Sequence, residues 1–381
     1  MTLAFLLYKN IPYGGMKRDF RRFVEEIQAL GHHCRVYCID WQGEPLPGTE
    51  LRRVPVRALT RHRRNERFTE WVQADLAADP VDGVIGFNKM PGLDVYFAAD
   101  TCFLDTALNE RGALYRLGGR YRHFAAYERA VFDAAASTEV LLISETEQRK
   151  FEHHYRTPAS RLHMLPPGIA RDRCRPADAE RRRERVRSAL GAEAGELLFL
   201  FVGSDYRRKG LDRAILGLAQ LLERRSDVKA RLLVVGQDSP GRFKRLARRE
   251  GVSEQVSFLG GRDDVADLML ACDALVHPAI AEAAGIVLLE ALVAGLPVIV
   301  TDACGYAGHI RSAHAGVVLP SPFAQDALTD AMDRATDGYF RHQCRDRGLA
   351  YAGRTDLWSM HSVGARLIAE LVGRKQVHAG D

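Results

Sequence analysis

Short apolar runs alternate with amphipathic stretches from one end of this chain to the other, and the alternation starts afresh in the middle. Residues 3–7, 34–39, 84–87, 95–98, 140–144 and 162–165 read as strands, and a helix runs from about 17 to 30, closed by Gly31. After Pro166-Pro167-Gly168 the series restarts with strands at 197–202, 232–235, 256–259, 274–277 and 297–301. The run Leu197-Leu198-Phe199-Leu200-Phe201-Val202 shows no polar alternation, the mark of a parallel strand covered on both faces. A strand, a helix and a second parallel strand close only as a right-handed crossover, so the pattern predicts an α/β fold. We expect two doubly wound, Rossmann-like parallel sheets facing across a cleft, one in residues 1–167 and one in 168–356, with the Pro-Pro-Gly segment as hinge. The helical stretch 357–381 can pack on either half and is expected on the first. Ligands of such sheets gather at the carboxyl ends of strands, which here means loops beginning near residues 8, 100, 203, 236, 260 and 278.

The bulk properties narrow the class. A chain of 381 residues exceeds one comfortable core and suits two domains. It is 46% hydrophobic and 27% charged, as in ordinary globular proteins, and no apolar run approaches the ~18 residues that cross a bilayer. Near the N-terminus no basic leader or cleavage site is legible, and the seven cysteines form no CxxC pair. Both observations lead us to expect a reducing cytoplasm rather than a disulfide framework or structural zinc. Only eight of the 54 basic residues are lysine. Guanidinium groups suit phosphorylated ligands or an anionic surface, although genomic base composition gives the same bias. Zinc-finger, basic-zipper and RNA-binding patterns are absent, so nucleic acid is not expected.

The densest chemistry lies in the stretch 281–291, where Glu282 and Glu290 stand eight residues apart around a small-residue turn. His277-Pro278 before it and Gly295-Leu296-Pro297 after it bracket one apolar helix. Ala284, Gly285 and Ile286 would then offer backbone N–H groups at a helix N-terminus, a ready site for phosphate. One acid could meet a sugar and the other a ribose; a plain buried helix with a charged start is the alternative. The loop Gly203-Ser204-Asp205-Tyr206-Arg207-Arg208-Lys209-Gly210 follows a strand and carries the fixed cations a pyrophosphate requires. Gly261-Arg262 ends another strand and could border a nucleotide base. Gly14-Gly15 opens the first helix, with neither a Walker A nor a G-x-G-x-x-G pattern around it. Asp100 falls just past a strand, facing a cleft or capping the next helix. The chain contains no Asp-x-Asp pair, which together with Arg208 and Lys209 points to metal-independent chemistry. In residues 103–132, Arg111, Arg116, Arg120, Arg122 and Arg129 interleave with Tyr115, Tyr121, Phe124 and Tyr127. That mixture suits an anionic bilayer interface or a helix packed by its aromatic face.

These stretches resemble the family-4 retaining glycosyltransferases of the GT-B fold. Within that family the chain is most similar to the transferases that add the first hexose to the second heptose of the lipopolysaccharide inner core. The likeness rests on Tyr13-Gly14-Gly15 with Arg18-Asp19-Phe20, on the run Gly86-Phe87-Asn88-Lys89-Met90-Pro91-Gly92-Leu93-Asp94-Val95-Tyr96, and on Tyr121-Arg122-His123. It continues through Leu165-Pro166-Pro167-Gly168-Ile169, Arg208-Lys209-Gly210, the Glu282 to Glu290 stretch, Ala294-Gly295-Leu296-Pro297-Val298 and Cys304-Gly305-Tyr306. The resemblance implies a UDP-sugar donor, a lipopolysaccharide core acceptor, contact with the anionic inner-membrane surface, and no cofactor or metal. It implies catalytic roles for Asp100, Arg208, Lys209 and Glu282. Gly14, Gly15, Asp19, Arg173, Gly203, Arg262, Ala284, Gly285, Ile286, Val287 and Glu290 would form the donor side, Asp19 also bordering the acceptor. Met16-Lys17 stand where the resemblance leads one to expect Leu-Gln. Two rival readings remain at this stage: a sugar-nucleotide 2-epimerase, and a membrane-surface binding protein on an inactive transferase scaffold. Donor sugars other than glucose, such as galactose or N-acetylgalactosamine, also remain open.

Overall fold

The computed structural model describes residues 1–10, 15–109 and 111–380, with backbone alone at residue 15 and at 377–380. The chain divides into two compact units, residues 1–168 with 359–381, and residues 169–358. In the first unit seven strands form one sheet: β1 (Thr2–Leu6), β2 (His33–Cys38), β3 (Thr49–Arg53), β4 (Gly83–Gly86), β5 (Val95–Ala98), β6 (Glu139–Leu142) and β7 (Leu162–Met164). Their order is β3-β2-β1-β4-β5-β6-β7, and every pairing is parallel. The second unit holds β8 (Leu197–Val202), β9 (Ala230–Val235), β10 (Val256–Gly260), β11 (Ala274–His277), β12 (Val298–Thr301) and β13 (Gly316–Leu319), in the order β10-β9-β8-β11-β12-β13. These pairings are also all parallel.

Each sheet starts in its middle, grows to one edge, then returns to build the other side. The reversal lies between β1 and β4 in one unit and between β8 and β11 in the other. Connections leave such a point in opposite directions, opening a crevice at the strands' carboxyl ends. The central strands β8 and β11 are buried almost throughout, which accounts for their unbroken apolar sequence.

Two strands of these two sheets escape the sequence pattern, β3 and β13, both at sheet edges. The residues Thr49-Glu50-Leu51-Arg52-Arg53 carry one apolar side chain, so no hydrophobic period marks the strand. It is held by its backbone ladder to β2 and by ion pairs, Arg35 Nε reaching Glu50 Oε2 at 2.8 Å and Arg35 Nη2 reaching Asp79 Oδ2 at 2.8 Å.

The C-terminal stretch divides at the unit boundary. Leu357 is fully buried in the core of the second unit, whereas helix Met360–Gly380 packs on helix Gly15–Ala29 and on β5. That approach is close: a Cβ on Gly364 would stand 2.5 Å from the Phe23 ring. No helix among the described residues is long and apolar enough to cross a membrane.

A buried carboxylate at the start of β11 ties the second unit together. Asp273 accepts the Leu198 N–H at 2.8 Å and takes Arg183 at 2.6 Å and Arg187 at 3.1 Å, so helix Ala179–Ala189 is pinned to the sheet. Removing a buried acceptor strands its donors, which costs more than the bond itself contributes. Asp273→Ala should therefore destabilise this unit by about 3 kcal/mol, measured as a lowered urea midpoint for its unfolding transition.

Candidate active site

The residues that cluster in the second unit follow β8 and β11, at the point where the strand order reverses. After β8 the chain turns through Gly203 and Asp205. Gly203 has φ +146°, and a Cβ there would stand 2.4 Å from the Lys209 side chain, so only glycine lets that lysine lie across the strand end. Asp205 is left-handed at φ 59° and accepts both the backbone N–H of Arg208, at 3.2 Å, and its Nε, at 3.1 Å. The turn is thus braced by one carboxylate, with Arg208 and Lys209 at its end.

After β11, residues 278–285 are stitched to both neighbouring loops. The Ile280 N–H donates to the Arg208 carbonyl at 2.8 Å, and the Thr301 hydroxyl to the Ala279 carbonyl at 2.6 Å. Glu282 pairs with Cys304 in an isolated bridge, and the Tyr306 N–H donates to the Ala284 carbonyl at 2.7 Å. This frame places the Glu282 carboxylate 2.6 Å from Lys209 Nζ and 3.8 Å from Arg208 Nη1. Arg208 also donates to the Ala281 carbonyl at 3.2 Å. Burial works against the Glu282 charge, but His277, Lys209 and Arg208 more than offset it and hold the carboxyl far below the usual range. His277 Nε2 stands 3.8 Å from Glu282 Oε2, beyond hydrogen-bond length, and burial keeps that ring neutral at pH 7, so the two cations carry the effect.

Helix Ile286–Ala294 begins four residues later, with Gly285 at its N-cap and Gly295, at φ 75°, ending it. Apart from Glu290 its residues are apolar all round, and all but the first are buried. The N–H groups of Gly285, Ile286 and Val287 stand at its N-cap and first turn, where a helix supplies no internal acceptors, and that of Ala284 lies one residue ahead. Glu290 is the one acid in the helix and is buried on one flank, with Arg173 Nε 3.9 Å from its Oε1. Lys209, Arg208 and Glu282 therefore meet just ahead of this helix N-terminus, with Glu290 and Arg173 paired farther along the helix. Arg262 stays out of this cluster, held by its neighbour Asp264 at 2.8 Å. Gly203, by contrast, belongs to it.

In the first unit, Asp100 lies exposed beyond β5. It does not cap the following helix, because Glu128 accepts the N–H groups of Phe103 at 2.7 Å and Leu104 at 2.9 Å, and Glu147 that of Cys102 at 2.6 Å. Glu128 is fully buried and ion-paired with Lys89 at 2.5 Å. Asp19 is buried too, with His361 Nε2 3.0 Å from its Oδ1. Gly14 lies outside the described residues, and Gly15 is the first residue of helix Gly15–Ala29. Residues 103–132 form helix Phe103–Asn109, a 3-10 turn Ala113–Leu117 and helix Gly119–Phe132. His123, Glu128, Val131 and Phe132 face inward, while Arg116, Arg120 and Arg122 are exposed beside Leu114 and Leu117.

Two residues of the second-unit cluster were not singled out from sequence. His277 marks in the sequence only a strand end and the bracket before the helix, although a polar residue closing the apolar run Ala-Leu-Val-His is a signal for a further role. Asp205 gave no signal, because its bracing role depends on a left-handed backbone.

Comparisons with known proteins agree on the class. Residues 13–173 match the model described as Glycosyltransferase Family 4, and residues 182–350 match Glycosyl transferases group 1. The lipopolysaccharide glucosyltransferase WaaG of Escherichia coli K12 is 46% identical over 369 residues, covering 97% of this chain and 98% of that protein. A D-inositol 3-phosphate glycosyltransferase of Rhodococcus erythropolis is 30% identical over 200 residues, 50% of this chain and 44% of that protein. The crystal structure of WaaG, a glycosyltransferase involved in lipopolysaccharide biosynthesis, superimposes with a TM-score of 0.90 at 45% identity, over 96% of this chain and 99% of that one. Anabaena HepE, solved with UDP and glucose, shares the fold at 17% identity and a TM-score of 0.74, over 97% and 100% of the two chains. The chain is a glycosyltransferase of the GT-B fold and belongs to family 4, in the branch that contains WaaG.

Proposed function

We propose that this glycosyltransferase moves a hexose, glucose in the first instance, from a UDP-sugar to the second heptose of the lipopolysaccharide inner core, with retention of configuration. The observation that carries the reading is the convergence of Lys209 and Arg208 on Glu282 beside a helix N-terminus. In this proposal the N–H groups of Ala284 to Val287 and the two cations hold the diphosphate. Glu290, with Arg173 beside it, accepts from the ribose hydroxyls, and Glu282 meets the donor sugar. The acceptor hydroxyl attacks the anomeric carbon on the face from which UDP departs. Its proton passes to the leaving β-phosphate, and Lys209 and Arg208 neutralise the charge that accumulates there. Fixed cations at that position make a divalent ion unnecessary. Asp100 and Asp19 stand on the acceptor side, and Arg262 borders the base.

The acceptor is a lipid-borne glycan, so the enzyme works at the cytoplasmic face of the inner membrane as a peripheral protein. The exposed face of residues 111–122, with Leu114 and Leu117 among arginines, supports that part of the reading. An epimerase of the same fold would turn over its nucleotide sugar without acceptor, and product analysis with and without truncated core separates the two.

Lys209→Ala should lose about 3 kcal/mol of transition-state stabilisation, roughly a hundredfold in kcat/KM, while wild-type turnover survives excess EDTA. Turnover of the variant within about threefold of wild type overturns the pyrophosphate assignment, and abolition by chelator overturns the metal-independent mechanism. Glu290→Gln should weaken UDP itself, because a carboxylate accepts more strongly than an amide, whereas Glu282→Gln should spare UDP and impair use of the whole donor. Calorimetry with UDP decides this, and equal losses in both variants would refute the division of roles. Replacing Arg116, Arg120 and Arg122 together by Ser should reduce binding to anionic vesicles, most at low salt, by about 1 kcal/mol per residue removed. Unchanged binding across a salt series would show the segment to be a solvated helix.

A further inference from the structure

One polar side chain beside the Glu282 carboxylate has no part in the transfer reaction proposed above. His277 closes β11 and is fully buried. Its ring lies 23° from that of Phe201, on the paired strand β8, with centroids 6.2 Å apart. Its carbonyl accepts the Ala279 N–H at 2.9 Å, so the strand end that carries the ring is fixed. Neither ring nitrogen has a hydrogen-bond partner. The ring is neutral at pH 7, which gives it one N–H to donate. Buried nitrogens are nearly always satisfied, and an orphan imidazole next to a charged site points to a bond made in another state of that site.

The geometry names the partner. His277 Nε2 stands 3.8 Å from Glu282 Oε2, about 1 Å beyond an ordinary N–H···O bond. That interval is too short for a water in line between the two atoms, so only a direct bond closes it. Lys209 Nζ at 2.6 Å and Arg208 Nη1 at 3.8 Å approach the same oxygen. At present the lysine has the carboxylate and the imidazole does not.

A diphosphate changes that balance. An ammonium drawn to a multiply charged anion relaxes its hold on a single carboxylate, and Glu282 is too buried to stand alone. Arg208 is committed elsewhere, its Nε to Asp205 at 3.1 Å and its Nη1 to the Ala281 carbonyl at 3.2 Å. The Glu282 backbone is held as well, by its bridge to Cys304 and by the Gly305 N–H at 3.1 Å. Adjustment therefore falls to the Glu282 side chain, and a small rotation brings it to a ring that Phe201 keeps in place.

We infer that His277 is a positioning residue for Glu282: its Nε2–H takes over the carboxylate when a nucleoside diphosphate engages Lys209, and so keeps Glu282 in place for the donor sugar. The inference rests on the roles given to Lys209 and Glu282 above and deepens them.

The test uses the full chain with UDP as probe. His277→Phe keeps a flat ring against Phe201 and deletes the donor, whereas His277→Gln returns an N–H near the position of Nε2. Calorimetry gives UDP affinity, and NMR of ring-labelled histidine follows the His277 N–H, assigned by its loss in both variants. His277→Phe should bind UDP about tenfold more weakly, and His277→Gln should recover to within about threefold of wild type. In the wild type the ring N–H should move downfield on adding UDP. In Lys209→Ala it should already stand downfield without UDP, because the carboxylate there has lost its competitor. UDP affinity of His277→Phe within about twofold of wild type overturns the inference, as does a His277→Gln variant no better than His277→Phe. A ring N–H that UDP leaves unmoved, or that is unchanged by Lys209→Ala, also overturns it. If the wild type shows the UDP-dependent shift but transfers no glucose from UDP-glucose to truncated core, the proposed function fails while the exchange at His277 stands. A wild type that binds no UDP overturns both.

Discussion

Parallel pairing is the constraint on which everything else in this protein depends. A parallel strand cannot be reached by a tight hairpin, so each connection must cross back over the sheet. The helices that make those crossings cover both sheet faces, and the central strands become apolar throughout. Backbone groups within the sheets are satisfied by the ladders. Free N–H groups, mobile side chains and solvent meet only at the strand ends, and most freely where the order reverses. At such a place stand Gly203 to Lys209 with His277 to Glu282 in one unit, and in the other Tyr8, whose N–H donates to the Asn88 side chain.

The two crevices are alike in origin and opposite in electrostatic character. In the second unit Arg208 and Lys209 are matched by Asp205 and Glu282, and the helix N-terminus adds the partial positive charge that lets the crevice favour an anion. In the first unit Lys89, which lines the crevice, is consumed internally by Glu128. Burial penalises the Glu128 charge, but Lys89, Tyr155 and the Phe103 N–H more than offset it and lower its pKa, so the pair remains ionised and inward-facing. A buried pair of this kind contributes little net stability, since desolvation cancels most of the attraction. Its effect is to leave the adjoining cavity close to neutral.

The sequence carried the interior of the fold better than its edges. Strands such as β8 and β11 are buried on both sides, and their apolar runs could hardly be anything else. Strand β3 announces nothing, because a backbone ladder and the ion pairs of Arg35 hold it, and neither has a period. Among the candidate site residues, the placement of Arg208, Lys209, Glu282 and Glu290 on a loop and about a helix start is legible in their spacing. Contacts between distant segments are not: His361 beside Asp19 and Glu128 capping the helix after Asp100 are matters of tertiary placement. The exposed leucines of the 113–117 turn were hidden for the same reason, since the sequence does not say which apolar residues fail to find a core.

Helix Met360–Gly380 belongs to the unit formed by the opposite end of the chain, and this bears on how the protein is made. The second unit is one uninterrupted stretch and can close on itself as soon as it leaves the ribosome. The first unit, although synthesised earlier, waits with Phe23, β5 and Asp19 uncovered until the last helix emerges. The nascent chain therefore carries an exposed aromatic surface through nearly the whole of translation. A premature stop after Trp358 would spare the unit that is made last and leave incomplete the one that is made first.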